Sequence, residues 1–552
     1  MLAYAESAAT IAGMSTSVQS LIDHGTDGLV VDIECNLSNN LPNIVIVGFA
    51  NKAVDEARER VRGAFASSGV RLPRKRITIN LAPADIPKAS SSFDLAIAAA
   101  IMMAGLKQPA ASFTKAEAIM GELGLDGAVR PVRGVIGKIT AGRRHGITTF
   151  YIPHANLPQA RLVPGVRLVP LENLAQLSAH ITDHATQRGF HTGDGMVDIA
   201  AASSGPETRP ADHSGPGTQH SPAGQTVRIG DVIGQQHAKR ALEIAAAGGH
   251  NLLLSGPPGT GKSMLARTLP SLLPDMSREE MLEVTQLHSL ASKEYGRLVA
   301  IRPFRSPHHS TSHIAIVGGG TSLRPGEISL AHRGVLLFDE LPEFNRNTIE
   351  ALRQPLEDRR IVITRANERV EFPADFILVA TANPCPCGYY GTPSRAGSGR
   401  RTCDCAPAAI QRYRAKLSGP IMDRIDLYSE VHEVDHANLL TAHGQQHCQE
   451  TEDIRGRVAA ARRAQSARTG AAGALNAALS NRELTATVSL HPNAKALLDT
   501  AGTSLELSAR AYMRTIKVAR TIADLAGSIQ VEIPHITEAL QYRSRSAETF
   551  RG

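Results

Sequence analysis

The stretch GPPGTGKS, Gly256 to Ser263, follows directly on the apolar run Asn251 to Leu254 and opens a segment of helical spacing. A buried strand, a glycine-rich turn ending in Lys-Ser and a helix make up a P-loop in both sequence and context. In such a turn the glycines let successive backbone N–H groups face inward on phosphate oxygens, and the helix N-terminus adds its positive end. Gly256, Pro257, Pro258, Gly259, Thr260 and Gly261 are the expected cradle, Lys262 the side chain that reaches the β- and γ-phosphates, and Ser263 a Mg²⁺ ligand. A glycine-rich turn that only caps a helix is the bland alternative, and the flanking strand and helix weigh against it. ATP or GTP is the expected ligand.

Further along, GVLLFDE (Gly334 to Glu340) reads as a buried strand ending in two adjacent carboxylates. Successive residues leaving a strand point in different directions, so Asp339 can join the Mg²⁺ shell while Glu340 faces the attacking water as general base. An acidic strand end that merely meets solvent is the competing reading. A third apolar run, Phe376 to Thr381, leads to Asn383, whose neutral amide could orient that water; a turn-forming Asn before Pro384 is the alternative. Unalternating apolar runs next to helical patterns point to the middle of an open parallel α/β sheet.

The 552 residues correspond to three or four domains at roughly 150 residues each. A hydrophobic share of 42%, a charged share of 20% and a mean hydropathy of −0.13 fit globular material and exclude a collagen-like or fully disordered chain. The longest apolar run, Leu95 to Leu106, falls short of the roughly 20 residues a membrane helix needs. The first Lys or Arg is Lys52, so neither a signal peptide nor a transit peptide is expected, and the cytoplasm is the expected compartment. A net charge of +7 permits binding to a polyanion without demanding it. With no Trp and few aromatics, a surface built on many stacked bases is not expected.

Residues Ala201 to Gln225 are rich in Gly, Pro, Ser and Thr and lack Leu, Ile, Val, Met and every aromatic, the composition of a linker. Before it, Gly28 to Ile33, Asn43 to Val47 and Ile77 to Leu81 read as strands, and Ala53 to Phe65 and Asp94 to Leu106 as helices. From about Asp435 onward Ala, Arg and Leu recur at helical spacing, notably in Ile454 to Arg468 and Leu507 to Leu525. The expected division is therefore a mixed α/β region over 1–181, a linker over 182–226, an open-sheet α/β domain over 227–434 and a helical domain over 435–552.

Four of the six cysteines, Cys385, Cys387, Cys403 and Cys405, form two Cys-x-Cys pairs fifteen residues apart. In a reducing compartment such a cluster reads as a metal site before a disulfide, and four thiolates suit a closed, structural Zn²⁺. The spacing is tighter than the common two-residue knuckle, so free thiols or a redox role stay open.

Strand, P-loop, acidic strand and polar strand, in this order, resemble the AAA+ ATPases. RPFRSPHHS (Arg302 to Ser310), AHRGVLLFDELPEF (Ala331 to Phe344), EALRQPLEDRR (Glu350 to Arg360), TANPCPCGYYG (Thr381 to Gly391), GPIMDRIDL (Gly419 to Leu427) and LSARAYMRTIKVARTIADLAG (Leu507 to Gly527) resemble the magnesium-chelatase-like group. The added N-terminal region and the Cys-x-Cys pairs are similar to the YifB/ComM family. That resemblance implies a hexameric, ATP-driven motor for DNA branch migration in natural transformation. It puts Arg424 at the arginine-finger position, where a guanidinium from a neighbouring subunit neutralises charge on the transferred phosphoryl group; a surface ion pair with Asp423 or Asp426 is the alternative. Arg510 falls at the sensor-2 position, with Arg514 and Lys517 as substitutes. On the same resemblance, a metal clip at the cysteines, between Asn383 and Arg424, would stiffen a loop that crosses the subunit boundary. The predicted hairpin of Ile361 to Thr364 and Val370 to Phe372 resembles the pre-sensor hairpin of a central pore, where Arg365 and Arg369 could track phosphates, or where Glu368 simply pairs with an Arg on a solvated surface. His308 and His309, with Gly318 to Gly320, resemble a second pore element.

The N-terminal region is similar to the Lon-protease proteolytic fold, as a Lon-like α/β domain ahead of the P-loop. PKASSSFD (Pro87 to Asp94) sets Ser92 at the nucleophile, but the dyad lysine falls on Ile136, with Lys138 two residues away, so proteolysis is not expected. Two other classes compete with a DNA motor: a chelatase-type ATPase that remodels a partner protein, and an ATP-dependent protease. DNA-stimulated hydrolysis separates them.

Overall fold

A computed structural model describes residues 16–24, 27–47, 52–83, 91–106, 113–183, 227–291, 298–320, 323–365, 368–391, 402–417, 419–433, 446–471 and 473–543. The chain is mixed α/β and divides into two compact units, residues 1–208 with 281–299, and residues 209–280 with 300–552. The linker expected over 182–226 falls outside the described residues from 184 onward.

In the first unit β1 (Thr16–His24) pairs antiparallel with β2 (Asp27–Ser38), and β3 (Asn43–Val47) runs parallel to β4 (Arg76–Ala82), which is antiparallel to β2. On the other side of β1 lie β5 (Glu117–Ile119) and, past the small ribbon of β6 (Glu122–Leu123) and β7 (Val129–Arg130), β8 (Thr149–Pro153) and β9 (Arg167–Leu171). The seven-stranded order is β3-β4-β2-β1-β5-β8-β9. Ile77, Ile79 and Leu81 are buried along β4 and their neighbours are not, the two-residue period of a strand with one covered face. The helix Asp94–Gly105 is buried from Asp94 through Ile101, as a helix apolar on all sides must be. Its one charge, Asp94, is held by Arg60 at 2.6 and 3.2 Å and by the Leu123 N–H at 3.3 Å. Burial pushes the Asp94 carboxyl up to about 6 against the pull of Arg60.

The second unit is built on β10 (Leu252–Ser255), β11 (Phe304–Arg305), β14 (Val335–Phe338), β17 (Ile377–Ala382) and β18 (Leu427–Glu430), all parallel, in the order β11-β14-β17-β10-β18. Two hairpins stand outside this sheet: β12 (Gly318–Gly319) with β13 (Arg324–Pro325), and β15 (Arg360–Arg365) with β16 (Glu368–Pro373). Every residue of β10, β14 and β17 is buried, which explains their unbroken apolar runs. Register then fixes the site. Phe338 lies opposite Ala380 and Ser255 opposite Ala382, so the first residue past β14 comes level with Thr381 and the P-loop leaves the sheet beside them.

The C-terminal part is helical, with helices at Gln446–Thr469, Asn481–Thr487, Pro492–Ser504, Ala509–Leu525 and Ile533–Gln541. Ser508 caps the fourth through the Ala511 N–H at 3.2 Å, and Ser480 with Glu483 forms a capping box on the second. One apolar core joins these helices to the sheet: Leu252, Leu254 and Ile244 belong to the same buried cluster as Val458, Leu498, Ile516 and Ile522. The sheet and the helices behind it thus share a single interior.

Candidate nucleotide site

At the carboxyl end of the sheet, the edge where parallel α/β sheets take ligands, the candidate side chains converge. The helix Lys262–Leu272 begins at Gly261, whose φ of +86° is the left-handed conformation that the turn into the helix demands. Lys262 Nζ donates to the carbonyls of Gly256 at 2.7 Å and Pro257 at 2.6 Å, and Thr260 Oγ1 to Pro257 at 2.9 Å. Burial in the loop lowers the Lys262 ammonium to about 8, with the Asp339 and Glu340 carboxylates working the other way. Ser263 Oγ reaches both carboxylate oxygens of Asp339, at 2.8 and 2.9 Å. A hydroxyl and a carboxylate so close are the hard oxygen pair that Mg²⁺ takes. Glu340 leaves β14 with a φ of +55°, unusual for a residue with a side chain, and is exposed.

Sequence reasoning overlooked the residue that links this acid pair. Thr381 Oγ1 donates to Asp339 at 2.7 Å and accepts from the Glu340 backbone N–H at 2.8 Å, so one hydroxyl ties the Asp339 carboxylate to the backbone of Glu340. Thr381 stands in the TANPCPCG segment, but only the strand order makes it the neighbour of Asp339. Asn383, two residues on, is half-buried, and its backbone N–H is directed at the Tyr413 hydroxyl.

Arg424 and Arg510 lie elsewhere. Arg424 precedes β18, and its carbonyl accepts from Asn251 Nδ2 at 3.1 Å at the start of β10. It therefore sits at the amino end of the sheet, the far edge from Lys262, with about 13 Å of strand between the two edges. Its guanidinium is buried, donates to Pro420 O at 2.6 Å and pairs with Glu357; Arg510 pairs with the other oxygen of the same Glu357. Burial alone would raise the Glu357 carboxyl, and Arg424, Arg510 and Arg514 hold it below its ordinary value. Arg514 is taken up by Asp426 at 2.9 Å, and Lys517 donates to Ala477 O at 3.3 Å. Glu357 was the second residue missed: it stands in the LEDRR run with no feature that marks it as the shared acceptor of two arginines 86 residues apart in sequence.

The four clustered cysteines come together, their sulfurs all within 4.8 Å of one another and the closest contacts at 3.3, 3.6 and 3.7 Å. Four thiolates at the ordinary Zn–S length would have sulfur–sulfur edges of about 3.8 Å, so the cluster could hold a metal ion nearly as it stands. In the β15–β16 hairpin Ile361, Val370 and Phe372 are buried, Arg369 is exposed, and Arg365 closes the pairing opposite Glu368. Gly318 of β12 lies against Ile363, which brings the two hairpins together. His308 is exposed, its ring 4.0 Å from that of His309 and its Nδ1 2.7 Å from Ser310 Oγ. In the first unit Ser92 is buried, 3.5 Å from the Leu21 carbonyl; Ile136 is in the apolar core, and Lys138, buried, faces Asp23 at 3.3 Å.

Strand order and P-loop setting are those of an AAA+-type fold with a helical C-terminal region. Family models agree: residues 228–439 match magnesium chelatase, subunit ChlI; residues 33–156 match subunit ChlI of Mg-chelatase; and residues 448–543 match magnesium chelatase, subunit ChlI C-terminal. The chain is 42% identical over 530 residues to competence protein ComM of Haemophilus influenzae, covering 96% of this chain and 97% of that one. It is 40% identical over 525 residues to YifB of Escherichia coli, covering 94% and 95%. To the magnesium-chelatase 38 kDa subunit of Rhodobacter capsulatus it is 26% identical over 171 residues, 28% of this chain and 49% of that one. The chain belongs to the YifB/ComM family of magnesium-chelatase-like AAA+ proteins. Among the described residues no helix is long and apolar enough to cross a membrane.

Proposed function

We propose that this protein is an ATP-hydrolysing ring motor that acts on DNA, as a branch-migration or helicase enzyme of recombination and transformation. The observation that carries the reading is the gathering of Lys262, Ser263, Asp339 and Thr381 at one sheet edge while Arg424 and Arg510 occupy the other. Gly256 to Lys262 would cradle the triphosphate, and Ser263 with Asp339 would hold Mg²⁺, which would neutralise charge on the phosphates. Glu340, exposed and with its backbone held by the Thr381 hydroxyl, is the general base, and Asn383 orients the water. Arg424 and Arg510 cannot reach their own P-loop from the amino edge, which favours a homo-oligomer, a hexamer by family likeness, in which they complete a neighbour's site. The four cysteines would hold a structural Zn²⁺.

DNA as the substrate is supported by the likeness to a protein named for competence, by the two adjoining hairpins, one of which carries Arg365 and the exposed Arg369, and by exposed His308 ahead of them in the chain. We assign 1–181 to a Lon-like domain without protease activity, since Ile136 supplies no amine and Ser92 is buried. Residues 182–226 we take as linker, 227–434 as the ATPase domain and 435–552 as the helical lid, in a cytoplasmic protein. The test is ATP turnover with single-stranded, duplex and four-way-junction DNA. Stimulation by at least one of them is expected; none by any would favour a chelatase-type motor that remodels a partner protein.

A further inference from the structure

The cysteine cluster and the P-loop meet. Gly388 ends the turn that begins at Cys385: its N–H donates to the Cys385 carbonyl at 3.0 Å, and its φ of +88° is one that glycine alone adopts freely. A Cβ built on Gly388 would come within 2.5 Å of Cδ and 3.1 Å of Cγ of Pro258. The bare Cα of the turn therefore rests on the proline ring in the middle of GPPGTGKS. A second tie lies just upstream, where the Gly256 N–H donates to Ala382 O at 3.3 Å. The P-loop is thus braced at its first residue and at Pro258 by one short segment, 382–388, and that segment contributes Cys385 and Cys387. Cys385 is buried and also accepts from the Tyr390 N–H at 3.3 Å, so the turn wraps its own sulfur.

We propose that a metal ion held by Cys385, Cys387, Cys403 and Cys405 is a positioning element of the nucleotide site: it fixes the Cys385–Gly388 turn, the turn holds Pro258, and nucleotide affinity depends on the metal. Four thiolates at these separations repel one another unless a cation neutralises them, and four thiols lack the bonds that would fix the turn. With the turn loosened, Pro258 loses its brace and the nucleotide must order the loop as it binds, which weakens binding. The clip anticipated as a stiffener of a subunit boundary acts, on this reading, within its own chain. The inference rests on the P-loop binding nucleotide.

The experiment uses the full chain, stripped of metal by chelation under reducing conditions, then dialysed and returned to Mg²⁺ with or without Zn²⁺. Metal content and affinity for a fluorescent ADP analogue are read together. Zinc-loaded protein should carry close to one Zn²⁺ per chain and bind the analogue about tenfold more tightly than stripped protein. Gly388→Ala should keep its zinc yet bind the analogue more weakly, because the new methyl strikes Pro258. Pro258→Ala, which removes the ring, should bind equally with and without zinc and should partly rescue Gly388→Ala. Equal affinity of loaded and stripped wild type, failure to bind Zn²⁺, or an unchanged zinc dependence in Pro258→Ala would overturn the coupling. No binding of the analogue by loaded wild type would instead overturn the nucleotide site itself.

Discussion

The two ends of the five-stranded sheet carry different balances of charge. At the carboxyl end the buried cation Lys262 sits with two carboxylates, and burial lowers its pKa. At the amino end arginines outnumber acids: Arg424 and Arg510 share Glu357, and Arg514 holds Asp426, so that both carboxyls lie below their ordinary values although burial alone would raise them. These charges pair within the chain, yet neither end is a complete phosphoryl-transfer site, which needs a cradle, a metal shell, a base and a cation on the departing charge. The difference teaches that the sheet separates the P-loop and its acid pair from the arginines along the strands; in the ring we propose, a second copy would bring them together.

The comparison breaks most visibly at the arginine end. Arg424→Ala should lower ATP turnover by about 10³-fold while leaving nucleotide affinity near that of the wild type. Glu340→Gln should lower turnover by about 10²-fold or more, again with nucleotide still bound. Mixing these two variants, with subunit exchange verified, should restore measurable hydrolysis, because a mixed ring has junctions where an intact Glu340 meets an intact Arg424. Mixed activity no higher than that of either parent would mean that Arg424 works within its own chain or only pairs with Glu357.

Thr381→Val keeps the shape of β17 and removes the hydroxyl that joins Asp339 to the Glu340 N–H. Loss of a hydrogen bond to a charged group is worth about 1.5–3 kcal/mol, so turnover with Mg²⁺ should fall about ten- to a hundredfold. Full activity in this variant would remove Thr381 from the site.

The smallest effect is a pH dependence that sharpens the contrast. In the free chain Lys262 titrates near 8, and a bound phosphate raises that value by favouring the ammonium. Its contribution to affinity is therefore complete below about 8 and declines as pH rises through the interval between the free and bound values, by at most tenfold per pH unit. Nucleotide titrations from pH 6 to 10 should show this decline in the wild type, and Lys262→Ala should be weak and flat. An equally steep decline in Lys262→Ala would assign the titration to another group.

Much of the carboxyl end was legible in the sequence because its signals are local. A strand, a turn and a helix lie consecutively in Asn251 to Leu272, and the P-loop needs no distant partner to be recognised. Strands were readable where burial leaves an unbroken apolar run, as in Val335–Phe338, and less so where they are two residues long, as in Phe304–Arg305, which no pattern marks. The cysteines were legible as a group because their spacing is itself the signal.

The sequence by itself determined which residue types suited to phosphate, metal and acid–base work are present, and which of the longer segments are strand or helix, since these depend on backbone chemistry and short-range periodicity. Only the tertiary structure decided who meets whom. Strand order put β17 between β10 and β14 and so made Thr381 the partner of Asp339. Parallel register sent Arg424 to the edge opposite Lys262, packing of the C-terminal helices brought Arg510 onto Glu357, and a left-handed glycine set the cysteine turn on Pro258. Each of these is a contact between residues distant along the chain, fixed by how buried faces fit together rather than by any local preference.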